Sequence, residues 1–133
     1  MKDLVFYLNG DINKIKEVIK NIDFDLVKID EKQLIDFKLI LSEISKTQYD
    51  NIYFYVINID YQRFQFFCKL YIFCSNTKSG GIIDQNLKSI KYKTSNFMFK
   101  DIPFFLVELL ASITVVLLSY PLYFFSKWIL IKK

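Results

Sequence analysis

Apolar and polar positions alternate in bursts along the first hundred residues and then give way to one long apolar run. Leu4 to Leu8 is a short β-branched and aromatic run that stops at Asn9-Gly10, the pattern of a strand ended by turn chemistry. Asp11 then stands where an N-cap belongs, and Ile12, Ile15, Ile19 and Ile22 follow at helical spacing with Lys14, Lys16, Glu17 and Lys20 between them. Phe24 to Ile29 predicts a second strand. Asp30 and Gln33 form a capping-box-like start for a second helix, whose apolar stripe is Leu34, Phe37, Leu41 and Ile44.

Ile52 to Ile59 is apolar on both alternating faces until Asn58, as a central strand covered on each side requires. Asp60 is placed to cap a third helix through Phe64, Phe67 and Cys68, while Leu70 to Cys74 fits either the end of that helix or a separate strand. Ser75 to Gly81 reads as a loop, with Gly80-Gly81 as its turn. Ile82 to Phe99 reads as one more extended piece, and a hairpin around Ser79-Gly80-Gly81 suits this part of the chain. Strands alternating with helices through short connections predict an α/β domain, a small and mostly parallel three-layer sheet of degenerate Rossmann-like type. A ferredoxin-like α+β domain is the runner-up.

From Ile102 to Ser126 the only formal charge is Glu108. Those 25 residues reach about 37 Å as a helix, enough for a hydrocarbon core of about 30 Å. The chain therefore divides into a polar-faced domain, residues 1–99, and a membrane-anchoring helix, residues 100–133. Pro121 removes a backbone donor and clashes with the carbonyl of Leu117, so the helix bends there unless the Ser119 hydroxyl supplies a substitute. Two topologies follow: a bent crossing, or a re-entrant hairpin with both ends on one side. Lysines flank the run almost equally, which gives the positive-inside rule no direction and favours the re-entrant form. No secretory signal is expected, because Met1-Lys2-Asp3 precedes only five apolar residues.

Charge sharpens this division. The net charge of +4 hides eight Lys against eleven acids in residues 1–60 and ten Lys or Arg against three acids thereafter. Lys88, Lys91, Lys93 and Lys100 precede the apolar run and Lys127, Lys132 and Lys133 follow it, as attraction to anionic headgroups would arrange them. A nucleic-acid surface is the competing reading, and the lone arginine, Arg63, with no binding motif counts against it. Ala111 is the only alanine, whereas Lys, Ile, Phe, Asn and Tyr abound, a skew typical of AT-rich coding.

Candidate chemistry is sparse. Histidine is absent, which excludes His-based triads, His-ligated metals and imidazole switching. Cys68 and Cys74 lack metal-knuckle or redox spacing and read as buried free thiols of a reducing compartment. Gly10 alone occupies the loop where a dinucleotide fold carries GxGxxG, and Asp11 beside it would repel a phosphate. Asp23 with Asp25 is the nearest approach to a carboxylate pair and reads as strand-edge charge. Tyr49, Tyr53, Tyr55, Tyr61, Tyr71 and Tyr92 read as core filling rather than base stacking. No catalytic, cofactor or metal residue is assigned. Within the apolar run Glu108 stands out, since an acid near a bilayer centre costs about 2.5 kcal/mol or more; two turns inside, it fits an interfacial role.

Phe104-Phe105-Leu106-Val107-Glu108, Ser112 four residues on, Ser119-Tyr120-Pro121 and Lys132 together resemble the front of the bacterial polyprenyl-phosphate sugar-1-phosphate transferases, the monotopic phosphoglycosyl transferases. In that family a Rossmann-like domain precedes a re-entrant helix broken at Ser-Pro, and a cytosolic catalytic domain with an Asp-Glu pair follows. Here Glu108 replaces the usual Asp, Tyr120 splits the Ser-Pro pair, and the arginine near the helix start is missing. The chain ends where the catalytic domain would begin. The resemblance thus implies a catalytically incomplete accessory or regulatory relative in polysaccharide biosynthesis, or half of a split enzyme, at the bacterial inner membrane. The alternative is an accessory subunit of a respiratory or ATP-synthase complex encoded in an AT-rich organelle, in the mitochondrial inner membrane, with Glu108 meeting another subunit. Both readings expect the lipid bilayer and other membrane-protein subunits as partners, and no nucleic acid.

Overall fold

The computed structural model describes residues 2–19, 23–61, 64–75, 77 and 79–131, with the backbone alone at 18, 61, 122 and 124–131. The chain divides into two compact units, Met1–Phe97 and Met98–Lys133.

In the first unit, strand β1 (Lys2–Tyr7) leads through Asn9-Gly10 into helix α1 (Ile12–Val18). Asp11 caps α1 as its sequence implies, accepting from the Asn13 amide at 3.0 Å. Strand β2 (Asp23–Lys28), helix α2 (Phe37–Ser45) and strand β3 (Asn51–Val56) follow. Helix α3 (Gln65–Cys74), strands β4 (Ser79–Asp84) and β5 (Ser89–Lys91) and a turn of helix, α4 (Thr94–Asn96), complete the unit. The five strands lie in the order β2-β1-β3-β4-β5, the first four parallel and β5 antiparallel to β4. This is a Rossmann-like α/β sheet. Parallel pairing of β1 with both β2 and β3 excludes the ferredoxin-like alternative.

The strand calls out its own burial. Leu4, Phe6, Ile52 and Phe54 point to one face, where Leu34, Ile40, Ile44, Cys68, Tyr71 and Ile72 cover them. Val5 and Tyr55 point to the other, under Ile15 and Ile19 of α1. Burial on both faces is why β1 and β3 are almost continuously apolar, and each such side chain contributes roughly 1.5–3 kcal/mol. Phe6 and Phe54 stack at 5.1 Å across the central pair. The Tyr71 hydroxyl, deep in the same layer, donates to the Leu34 carbonyl at 2.6 Å.

Several expectations are corrected. The Asp30–Gln33 box does form, with reciprocal bonds of 2.7 and 3.0 Å, but it caps a 3-10 turn, Gln33–Ile35. Asp36 accepts from Lys38 and Leu39 and starts α2 afresh. That restart rotates the stripe, so Leu34, Ile40 and Ile44 are buried while Phe37 and Leu41 stay partly exposed. Asp60 lies in a 3-10 turn, Ile59–Tyr61, and α3 begins without a side-chain cap at Phe64. Leu70 to Cys74 is helical. Gly80-Gly81 is strand, not turn: a Cβ at Gly80 would lie 2.2 Å from the Ile52 carbonyl oxygen, and one at Gly81 would lie 2.4 Å from that of Ile90. Close backbone approach, rather than chain reversal, explains these glycines. The hairpin turns instead at Gln85–Lys88, and the extended reading of Ile82 to Phe99 gives way to helix from Thr94. Cys68 is buried, its thiol pushed up to about 12 by desolvation, but Cys74 is exposed.

A π-helical turn, Phe97–Asp101, begins at the last residue of the first unit and runs into helix α5 (Ile102–Ile131) of the second. Its 30 residues span about 45 Å at 1.5 Å per residue. Apart from the half-buried Phe105, the apolar side chains described from Phe104 to Tyr123 are exposed around the helix, and the stretch Thr94–Pro121 is long and apolar enough to cross a membrane with none of its most apolar window buried.

Candidate functional site

Open parallel sheets bind ligands beyond the carboxyl ends of their strands, where the chain switches direction between neighbours. Here that point lies between β1 and β3, framed by Leu8–Asp11, Ile57–Asp60 and the β4–β5 turn. Its polar groups are spent on the protein itself. The Tyr7 hydroxyl donates to the Gly10 carbonyl at 2.6 Å and the Tyr55 hydroxyl to that of Asp11 at 3.2 Å. Asn9 accepts from the Ile57 amide at 2.9 Å. Asp84, fully buried, accepts from the Asn86 and Lys88 amides at 2.8 and 2.9 Å through one oxygen and from Ile59 at 3.5 Å through the other. Lys88 pairs with Asp60 at 2.8 Å, which raises the Lys88 ammonium above its ordinary range.

Gly10 has φ +116°, and a Cβ there would lie 3.0 Å from Tyr55 Cε1 and 3.5 Å from Ile57. The side chains of Tyr55, Ile57 and Gln85 close in on the backbone at Gly10. Three carboxylates, Asp11, Asp60 and Asp84, surround it and disfavour a phosphate. Burial and then the Asp11 charge push the Tyr55 phenol up, keeping it a neutral donor. This end of the sheet works as a network that ties three loops together.

The carboxylates singled out in sequence do not converge. Asp25 binds the Lys2 ammonium at 2.7 Å and accepts from the Tyr49 hydroxyl at 2.9 Å, while Asp23 is exposed at the strand end. Tyr49, Tyr55 and Tyr71 are core residues, as expected; Tyr53 and Tyr92 are half-buried, and the Tyr61 side chain lies outside the described ones. Among the described residues no group of three Cys, Asp or Glu side chains gathers as a metal would require. Sequence reasoning missed the buried carboxylates Asp3 and Asp84. The signal for Asp84 is readable, since Asp-Gln-Asn after an apolar strand is a run whose first side chain can accept from the amides of its own turn.

In α5, Glu108, Ser112 and Ser119 recur at four and seven residues, which places them within about 40° of one another around the helix. Ser112 donates to the Glu108 carbonyl at 2.8 Å, Thr114 to Leu110 at 2.8 Å and Ser119 to Val116 at 2.7 Å. These hydroxyl protons are therefore used inside the helix, and the Ser119 bond goes to Val116 rather than to Leu117, whose partner Pro121 removes. The helical backbone continues through Pro121. Lys100 is exposed in the preceding turn; of Lys127 the backbone alone is described, and Lys132 and Lys133 lie outside the described residues.

Compared with protein-family models, with curated protein sequences and with solved structures, the chain matches none.

Proposed function

We propose that this chain is a membrane-anchored accessory or regulatory protein, related to the polyprenyl-phosphate sugar-phosphate transferases of polysaccharide biosynthesis and seated at the bacterial inner membrane. The observation that carries the anchor is the exposure of α5: Phe104, Leu110, Val115 and Leu117 each stand more than half exposed. Covering an apolar side chain of this size is worth roughly 1.5–3 kcal/mol, so a helix that is apolar over most of its circumference needs lipid or other membrane helices around it. The order of a Rossmann-like sheet and then an apolar helix with Ser119-Tyr120-Pro121 supports the family reading. Lys100 at the start of the helix and Lys127 toward its end suit the charged headgroup region that flanks a membrane-embedded run. The α/β domain offers a binding and packing surface rather than a reaction centre, since its loop ends are tied to one another.

A second reading is favoured by the single polar face of α5. Glu108, Ser112 and Ser119 sharing one side would suit a crossing helix packed against other membrane subunits, as in a respiratory or ATP-synthase complex.

Cysteine mapping in sealed membrane vesicles separates the two. Cys74 is first replaced by serine; Cys68 stays, because its buried thiol with a pKa of about 12 does not react. Asp101→Cys and Lys133→Cys labelled from the same side support the transferase-like re-entrant anchor. Labelling from opposite sides overturns it and leaves the crossing subunit. Release of the full chain by alkaline carbonate would overturn both.

A further inference from the structure

Within the first unit, the described residues cover only one half of the sheet face that carries α1. Helices α2 and α3 lie over the opposite face, and because β4 joins β5 by a hairpin rather than a helical crossover, α1 is the one sheet-covering helix on its side among the described residues. Pairing places Tyr53, Gly81 and Lys91 side by side across β3, β4 and β5. With no side chain at Gly81, the space between Tyr53 and Lys91 is a hollow, and it opens into a cleft of about 390 Å³. Glycine is required there by the Ile90 carbonyl, 2.4 Å from any Cβ, so the hollow is a fixed consequence of the pairing.

The cleft is amphipathic. Its floor is Ile19 and Ile83, both nearly buried, with the half-buried ring of Tyr53. Its rim carries Lys91 and Lys93, both exposed and neither with an ion-pair partner among the described residues, whereas Lys88 on the same hairpin is paired with Asp60. No acid lines it. An apolar floor under two unpaired cations complements a molecule with an anionic head and an apolar stem, and the volume falls within the roughly 300–1,000 Å³ of small-molecule sites. A nucleotide would bring polar ribose and base edges onto a floor with little to bond them.

We propose that this cleft binds an anionic phospholipid of the membrane that holds the chain, its phosphate between Lys91 and Lys93 and its first methylenes over Ile83, Ile19 and Tyr53. This rests on the anchor reading: Lys93 precedes Ile102 by nine residues of chain, and the bilayer is the supply of such amphiphiles. The domain would then sense the headgroup composition of its own membrane.

The test uses the full chain in phosphatidylcholine nanodiscs, titrated calorimetrically with monomeric dihexanoyl-phosphatidylglycerol and, in parallel, dihexanoyl-phosphatidylcholine. The expected result is one site with about a thirtyfold preference for the anionic lipid, the size that two lysines at about 1 kcal/mol each supply. Lys91→Gln with Lys93→Gln removes the preference. Ser89→Phe, which fills the cleft from β5 and keeps both lysines, weakens uptake of both lipids. Unfolding midpoints equal to wild type establish that the variants are folded. Equal uptake of the two lipids, or a preference untouched by both variants, overturns the proposal, as does displacement by inorganic phosphate at the lipid's own concentration. Carbonate extraction of the same preparation reads the anchor separately: a chain released from membranes that still prefers the anionic lipid without nanodiscs keeps the site and loses the anchor.

Discussion

Asn51 at the start of the central strand donates its side-chain amide to Asp3 of β1 at 2.8 Å, and Asp3 is fully buried. The second Asp3 oxygen has no hydrogen-bond partner, so Asn51 is the one group that offsets the desolvation of this carboxylate among the described residues. Ser79 of β4 in turn donates to Asn51, making a polar thread across three strands. Removing a partner from a buried charge costs more than the bond itself contributes. Asn51→Ala is therefore expected to lower stability by about 2–3 kcal/mol, and Asp3→Asn, which removes the charge and keeps the shape, by less. Urea unfolding of the three proteins checks the ranking. If Asp3→Asn proves the more damaging, the carboxylate is better solvated than its burial implies.

The Lys2–Asp25 pair gives the edge of the sheet a pH dependence whose sign is fixed. The Asp25 carboxyl is held below its ordinary value of 3.8, first by the Lys2 ammonium and then by the Tyr49 hydroxyl. A folded value below the unfolded one means that the contribution is complete above the unfolded value and is lost as pH falls through the folded one. Lys2 mirrors this, raised above 10.5 chiefly by its bond to Asp25, so its contribution is lost as pH climbs through that higher value. Thermal unfolding followed from about pH 5 to pH 2 should fall more steeply for wild type than for Asp25→Asn. Both groups are open to solvent, so the difference should shrink in high salt. Parallel curves at low salt would mean the pair contributes nothing.

The same contrast between local and long-range causes explains what could be read before folding. Strands β1 and β3 are legible because a strand buried on both faces must be apolar without interruption, and α1 because Asp11 marks its start and Ile15 and Ile19 its buried face, although Ile12 of the expected stripe is exposed and Ile22 lies outside the described residues. The Asp30–Gln33 box is a real local signal that leads to the wrong element: it closes a 3-10 turn, and Asp36 six residues later owns the helix. Gly80-Gly81 misleads more deeply. Paired glycines favour a turn on local grounds, and only the register of β3, β4 and β5 reveals that two carbonyl oxygens leave no room for a Cβ. Asp3 is likewise silent in sequence, because its partner lies 48 residues away. In α5 the polar residues are visible at once, but their use is not: that Ser119 bonds to the Val116 carbonyl rather than to that of Leu117 depends on a rotamer.

The two glycines can be separated by substitution. Alanine at Gly80 places its Cβ 2.2 Å from the Ile52 carbonyl inside the central β3–β4 pair, where neither strand can retreat without breaking the ladder. Alanine at Gly81 meets Ile90 of β5, an edge strand of three residues that can shift outward. Both are overpacked, which costs about 1–3 kcal/mol or more, and Gly80→Ala should be the worse. Amide hydrogen exchange should report loss of protection across β3 and β4 in Gly80→Ala, against loss confined to the β4–β5 hairpin in Gly81→Ala. Global loss in both would mean the hairpin is not a separable edge.

Pro121 poses the sharpest question about the anchor. It lacks the N–H that would bond the Leu117 carbonyl, and the nearby Ser119 hydroxyl is already committed to Val116 at 2.7 Å. Inside hydrocarbon an unbonded carbonyl costs several kcal/mol, so the Leu117 oxygen must reach water, a headgroup or a neighbouring donor. In a re-entrant hairpin this carbonyl sits at the deepest point of the chain and in a crossing near mid-bilayer, so either topology leaves it to a neighbouring donor or to water. Pro121→Ala restores the donor and removes about 3 kcal/mol of opposition to continuous helix. Helix α5 is continuous through Pro121; if the missing donor nevertheless turns the chain back within the bilayer, Lys133→Cys carrying Pro121→Ala should become labelled from the side opposite to Asp101→Cys, and Ser119→Ala alone should leave the labelling unchanged because its bond lies elsewhere. Retention of same-side labelling in Pro121→Ala would assign the turn to the flanking lysines instead, and simultaneous replacement of Lys127, Lys132 and Lys133 by Gln would then be the change that releases it.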